Sequence, residues 1–100
     1  MSLRHLHLMG AGGVGMCGIA EVLIAEGLTV SGCDLADNER TRRLADRGAV
    51  IHKGHHPDHL EGVDGLVVSA AVPAGDAELQ AARAARPGSA ASRIGRPITM

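Results

Sequence analysis

Six residues narrow most sharply what this chain can become: Gly10-Ala-Gly12-Gly13-Val-Gly15, with Gly18 following one helical turn later. Ahead of them, His5-Leu-His-Leu-Met alternates polar and apolar residues and reads as a strand. Behind them, Met16, Ile19, Ala20, Leu23 and Ile24 recur at helical spacing over 14–26, and Gly27 supplies a stop. A chain that leaves a strand and turns at once into a helix needs a residue tolerant of positive φ. If backbone is to approach an anion, no Cβ can stand in the way. The helix N-terminus then turns free N–H groups and its positive dipole end toward the charge. The pattern G-x-G-x-x-G is weak by itself. Its position between a strand and a helix makes it a phosphate-binding loop.

The remaining elements follow at short intervals. Residues 28–33 form a second strand ending on Asp34, 19 residues after Gly15, where a carboxylate could accept hydrogen bonds from a ribose or base. Asp37 or Asn38 can cap a helix through about Arg47, closed by Gly48. Residues 49–52 are a short third strand, and 53–64 a polar loop with one turn at 57–60. Residues 66–69 form an apolar fourth strand of the kind that parallel sheets bury on both faces, and Pro73 blocks its continuation. Residues 76–86 are alanine-rich and helical, opening on an acid and closing with Arg83 and Arg86, as the helix dipole favours. After Pro87 the periodicity dissolves into an irregular tail over 87–100, with weak support for a short strand around Ile94. Strands alternating with helices predict an α/β domain over 1–86. Its Rossmann-like parallel sheet has four strands, or five with that near Ile94, in the order 3-2-1-4. Helices cover both faces, and a ligand crevice opens at the carboxyl ends of the first and fourth strands.

Composition excludes several classes. There is no Phe, Tyr or Trp, so the core is Leu, Val, Ile, Ala and Met, and a bound base can stack on nothing but a histidine. Ten basic and eleven acidic residues form no long block, which argues against nucleic acid as a partner. Cys17 and Cys33 make no disulfide framework and fit reduced thiols in a cytoplasmic protein. No stretch has the length of a membrane span or the pattern of a signal peptide, so no membrane association is expected. The sequence G-x-x-x-x-G-K-[ST] is absent, so ATP is not expected to bind here through a P-loop.

A more specific resemblance emerges from the ordered matches. His7-Leu-Met-Gly-Ala-Gly-Gly-Val-Gly-Met16, Gly18-Ile-Ala, Val30-Ser-Gly-Cys-Asp34, Arg43-Leu-Ala, Gly48-Ala, Gly54-His55 and Val67-Val-Ser-Ala-Ala-Val-Pro73 together resemble the N-terminal domain of the Mur ligases. The branch that adds L-alanine is the most similar. The resemblance implies binding of the UDP portion of UDP-N-acetylmuramate, or a related UDP-sugar, in a peptidoglycan-precursor ligase. Gly10, Gly12, Gly13, Val14, Gly15 and Met16 would hold the diphosphate, mainly through backbone N–H groups. Asp34 would bond the uridine end, His55 would lie against the uracil, and Ser69 would close the phosphate crevice. The chain departs from the family pattern at Ala70, where a second serine is usual, and at Cys17, where serine is usual. The family's ATP and magnesium are handled by further domains that these residues do not include. The expectation is a binder with no bound cofactor, no catalytic residue and no ligation of its own.

His52, His55, His56 and His59 fall within eight positions, and histidine is a common metal ligand. The stretch contains Pro57 and reads as a solvated loop with one histidine recruited to the uracil, so no metal site is expected. Cys17 at a helix start has a dipole environment that lowers a thiol's pKa, but without a base it reads as a small packing residue. Arg40, Arg42, Arg43 and Arg47 lie amid acids and read as a solvated helix face. Two rival readings stand beside UDP binding: an NAD-binding module, and a ligand-free domain used for protein interactions. The extra Gly13 with Met16, and the matches at 54–55 and 67–73, favour the UDP reading over NAD.

Overall fold

The computed structural model describes residues 4–84, residue 94 and residues 97–99. Strand β1 (His5–Met9) runs through the glycine loop into helix α1 (Val14–Ala25), followed by β2 (Thr29–Asp34), α2 (Glu39–Asp46) and β3 (Val50–Lys53). A 3-10 turn (Pro57–Leu60) precedes β4 (Gly65–Val68), α3 (Ala77–Arg83) and a short β5 (Ile98–Thr99). All pairings are parallel, in the order β3-β2-β1-β4-β5. The expected order of the first four strands holds. The fifth strand lies at Ile98–Thr99, paired with Val67 and Val68, rather than around Ile94. Ile94 is instead buried in the core beside Leu79 and Ala82. The rest of the expected tail (87–93, 95, 96 and 100) and the end of the expected last helix (85–86) lie outside the described residues.

Local chemistry sets the helix starts. Asn38, rather than Asp37, caps α2: its side chain accepts from Thr41 N–H at 2.9 Å while Thr41 Oγ1 accepts from Asn38 N–H at 3.0 Å. Asp76 caps α3 by accepting from the N–H groups of Glu78 and Leu79 at 2.9 and 3.2 Å. Helix α1 has no such cap, because Gly13 stands at that position with no side chain to offer.

Alternate strand residues face opposite layers, and the sheet separates two cores. On one face, Leu8, Val30 and Val67 pack against Met16, Cys17 and Ala20 of α1 and Leu44 of α2. On the other, Met9, Leu66 and Val68 pack against Leu60, Val63, Leu79 and Ala82. The second face also carries a polar stripe, His7, Ser31 and Cys33, sealed from solvent under Glu78 of α3.

If the sheet insulates these layers, shortening a leucine in each should give independent losses. Leu44→Val and Leu60→Val should each cost about 1 kcal/mol. The double variant should lose the sum to within about 0.5 kcal/mol. Urea unfolding followed by far-ultraviolet circular dichroism measures all three, and a larger coupling would show the layers to be mechanically linked.

Candidate functional site

The glycine loop is built where β1 meets the end of β2. Gly10 adopts φ +85°, and its N–H and that of Ala11 both donate to the Cys33 carbonyl, at 2.8 and 3.0 Å. A Cβ on Gly10 would stand 2.7 Å from Ser69 Cβ, so a side chain there would collide with the start of the β4–α3 connection. Gly12 is enclosed still more tightly. A Cβ there would lie 2.8 Å from both Asp34 Oδ2 and Asn38 Nδ2. Gly12 N–H donates to Asp34 Oδ2 at 2.8 Å, while its carbonyl accepts from Arg40 Nε and, at 3.5 Å, from Asn38 Nδ2. The peptide on each side of Gly12 is thereby clamped.

This clamping aims the start of α1. The first helical hydrogen bond runs from Cys17 N–H to the Gly13 carbonyl at 2.9 Å. Among the described residues, the N–H groups of Val14, Gly15 and Met16 have no partner. Val14 and Gly15 are exposed, and Met16 is buried. No acid stands in the first turn to neutralise the positive dipole end. Unpaired donors in a first turn that carries no acid of its own are suited to an anion.

The other expected residues divide. Ser69 sits across from Gly10, its N–H donating to the Met9 carbonyl at 3.0 Å and its Oγ accepting from Ala71 N–H at 3.2 Å. Asp34 lies at the loop, with Oδ2 on Gly12 N–H and Oδ1 accepting from Ala36 N–H at 3.2 Å, so its carboxylate shapes the loop itself. His55 reaches Cys33, with Nδ1 2.9 Å from the sulfur, on the α3 side of the sheet. Arg42, Arg43 and Arg47 pair with Asp37 and Glu21 on an exposed face, as expected. Arg40 departs from that reading. It stands in the first turn of α2 beside the end of β2, and that placement is the signal that it would reach the loop.

A second constellation went unforeseen because two of its members come from β1 and α3. His7 and Glu78 are both fully buried. Glu78 Oε2 lies 3.2 Å from both His7 Nε2 and Cys33 Sγ, while Oε1 accepts from His56 N–H at 2.9 Å and lies 2.5 Å from His59 Nδ1. Burial alone would push the Glu78 carboxyl up. The hydrogen bonds from His7, His56 N–H and Cys33, and the charge the His7 ring can carry, outweigh it and bring the group down to about 2. Burial, reinforced by the adjacent Glu78, pushes the Cys33 thiol far up. Burial also lowers His5 and His52, aided by their neighbours His7 and His59 respectively. The ligating atoms of His7, Cys33, His59 and Glu78 all lie within 4.8 Å of one another.

A parallel sheet covered on both faces, with a glycine loop joining its central strand to a helix, defines a Rossmann-like domain. The chain belongs to the Mur ligase family: the family's model, described as its catalytic domain, matches residues 5–87, and the segment corresponds to the N-terminal domain of those ligases. The UDP-N-acetylmuramate–L-alanine ligase of Thiobacillus denitrificans is 54% identical over 82 residues, covering 82% of this chain and 18% of that protein. That of Methylococcus capsulatus is 55% identical over 84 residues, covering 84% and 18%. The solved UDP-N-acetylmuramate–alanine ligase of Thermotoga maritima superposes with a TM-score of 0.80 at 28% identity, over 98% of this chain and 20% of that one. The chain thus spans under a fifth of the length of the curated relatives it matches. No helix among the described residues is long and apolar enough to cross a membrane.

The Glu78 network gives a signed pH dependence. A carboxyl that titrates at about 2 when folded and near 4.5 when unfolded supplies stability in full above pH 4.5, lost as the pH falls through 2. Glu78→Gln should therefore be less stable at neutral pH and show a flatter stability curve between pH 4.5 and 2. Urea titrations at stepped pH in the presence of a chelator measure this; parallel curves for the two proteins would contradict it.

Proposed function

We propose that this domain binds the diphosphate of a UDP-sugar, and that the sugar nucleotide is UDP-N-acetylmuramate. The observation that carries the reading is the set of unpaired N–H groups at Val14, Gly15 and Met16, aimed by the clamped Gly12 peptide, in a first turn that carries no acid. A diphosphate supplies the negative oxygens these donors lack. Ser69, on the far side of Gly10, would close the crevice with its hydroxyl. Asp34 would contribute by holding Gly12 in place, with its remaining acceptor capacity directed at the uridine ribose. His55 would approach the uracil only by leaving Cys33.

The relatives named above are ligases that join alanine to UDP-N-acetylmuramate, and the same whole-protein activity is proposed here. In that reaction the muramate carboxylate would take the γ-phosphoryl group of magnesium-bound ATP, releasing ADP, and the amino group of L-alanine would then displace phosphate from the acyl phosphate to form the amide. The glycine loop would position the nucleotide end of the substrate. Transfer of the phosphoryl group would fall to parts of such ligases outside the matched segment. A cytoplasmic setting is proposed with it, since ATP and the nucleotide-activated sugar are cytoplasmic metabolites.

Gly15→Asp tests the reading cleanly. A Cβ at Gly15 meets nothing within 4 Å, and an acid in a helix's first turn stabilises it by about 0.3–1 kcal/mol. The variant should therefore fold at least as well as the parent. It should bind UDP-N-acetylmuramate about tenfold more weakly or worse, because its carboxylate occupies the anion's place. Calorimetric titration with UDP-N-acetylmuramate and with NAD measures both. Unchanged affinity in the variant, or preference of the parent for NAD, would overturn the assignment.

A further inference from the structure

We propose that His7, Cys33, His59 and Glu78 form a closed tetrahedral site for a zinc-type divalent cation, beneath the sheet's α3 face and separate from the glycine loop. A tetrahedral zinc with bonds of about 2.0–2.3 Å holds its ligand atoms roughly 3.4 Å apart. Here Glu78 Oε2 already stands 3.2 Å from His7 Nε2 and 3.2 Å from Cys33 Sγ, and the four ligating atoms fall within 4.8 Å of one another. Small side-chain rotations would therefore suffice to surround an ion. The donor set is one thiolate, two imidazoles and one carboxylate. It suits zinc or cobalt rather than magnesium or calcium, which prefer oxygen alone. Two anionic ligands would balance the ion's charge in a region closed to solvent, where His7, Cys33 and Glu78 are buried.

The supporting groups are also in place. His7 would ligate through Nε2 while its Nδ1, 2.7 Å from Ser31 Oγ, fixes the ring's tautomer and direction. Glu78 would ligate through Oε2 and keep the His56 N–H on Oε1. His55 Nδ1, 2.9 Å from Cys33 Sγ, can donate to a thiolate. His52 stacks on the His59 ring at 4.2 Å and limits its rotation. A cleft of about 420 Å³ lined in part by His5, Ser31, His52 and His59 opens beside the cluster and offers a way in. All four ligands come from the protein, so the site is structural and leaves no position for a reacting water. It would also brace the end of β2, whose Cys33 carbonyl holds the N–H groups of Gly10 and Ala11.

The test is a titration of the full chain, stripped with chelator and dialysed, with cobalt(II) alone. Without Phe, Tyr or Trp the near ultraviolet is clear of aromatic absorption, so a thiolate-to-cobalt band is read directly. The expected result is saturation at one cobalt per chain, with tetrahedral visible bands and a thiolate charge-transfer band, all displaced by zinc. Cys33→Ser should abolish the charge-transfer band. His59→Asn, at the cluster's outer edge, should keep the far-ultraviolet dichroism and weaken binding more than the roughly 10–100-fold that loss of an outer-shell partner costs. His56→Asn, whose side chain is exposed, should leave the bands unchanged. Absence of stoichiometric binding would overturn the proposal. So would bands that survive Cys33→Ser unaltered but vanish in His56→Asn, since the exposed loop histidines would then be the ligands.

Discussion

The Cys33 carbonyl is the point on which the domain turns. It accepts from both Gly10 and Ala11, fastening the first residues of the loop to the end of the neighbouring strand. One residue on, Asp34 takes the N–H of Gly12. These bonds set the direction in which α1 leaves the sheet, and hence where its free N–H groups point. Glycine at 10 and 12 is a consequence: a side chain at either would strike Ser69 or Asp34. The loop is thus a preorganised backbone surface, whose donors need no rearrangement to meet an anion.

On the opposite side of the same residue, the Cys33 side chain joins a network around Glu78, the one buried acid among the described residues. A core of aliphatic residues without aromatic rings leaves this face to be filled partly by His7, Ser31 and Cys33, and such groups are costly unless each finds a partner. Ser31 pairs with the His5 and His7 rings, and Glu78 serves the others, taking His7, Cys33, His59 and the His56 N–H on one carboxylate. The 3-10 turn is fastened to α3 by this means, and the residues between β3 and β4 are drawn over the sheet.

Much of this was legible in the chain because it rests on local signals. The alternation in 5–9, the helical spacing in 14–26 and the turn-forming glycines correspond closely to β1, α1 and the loop. Asn38 and Asp76 stand where capping chemistry requires them. Long-range relations were not legible. Glu78 reads as an acid suited to a helix start, and nothing nearby shows that it turns inward toward residues from two strands. His55 lies in a polar loop, and its contact with Cys33 depends on how that loop folds back. Arg40 differs from its neighbouring arginines only in facing the end of β2. The fifth strand has just two residues and exists because β4 offers an open edge, so no periodicity could announce it.

The central claim is that the α1 N-terminus is a diphosphate site, and amide NMR of the isotope-labelled chain tests it most directly. Titrated separately with UDP-N-acetylmuramate, UDP and NAD, the chain should show saturable shifts at Gly12 to Cys17 and at Ser69 with both uridine compounds, and weak or no shifts with NAD. If the uridine compounds leave those amides unmoved, or if NAD alone shifts them, the account of this loop is wrong.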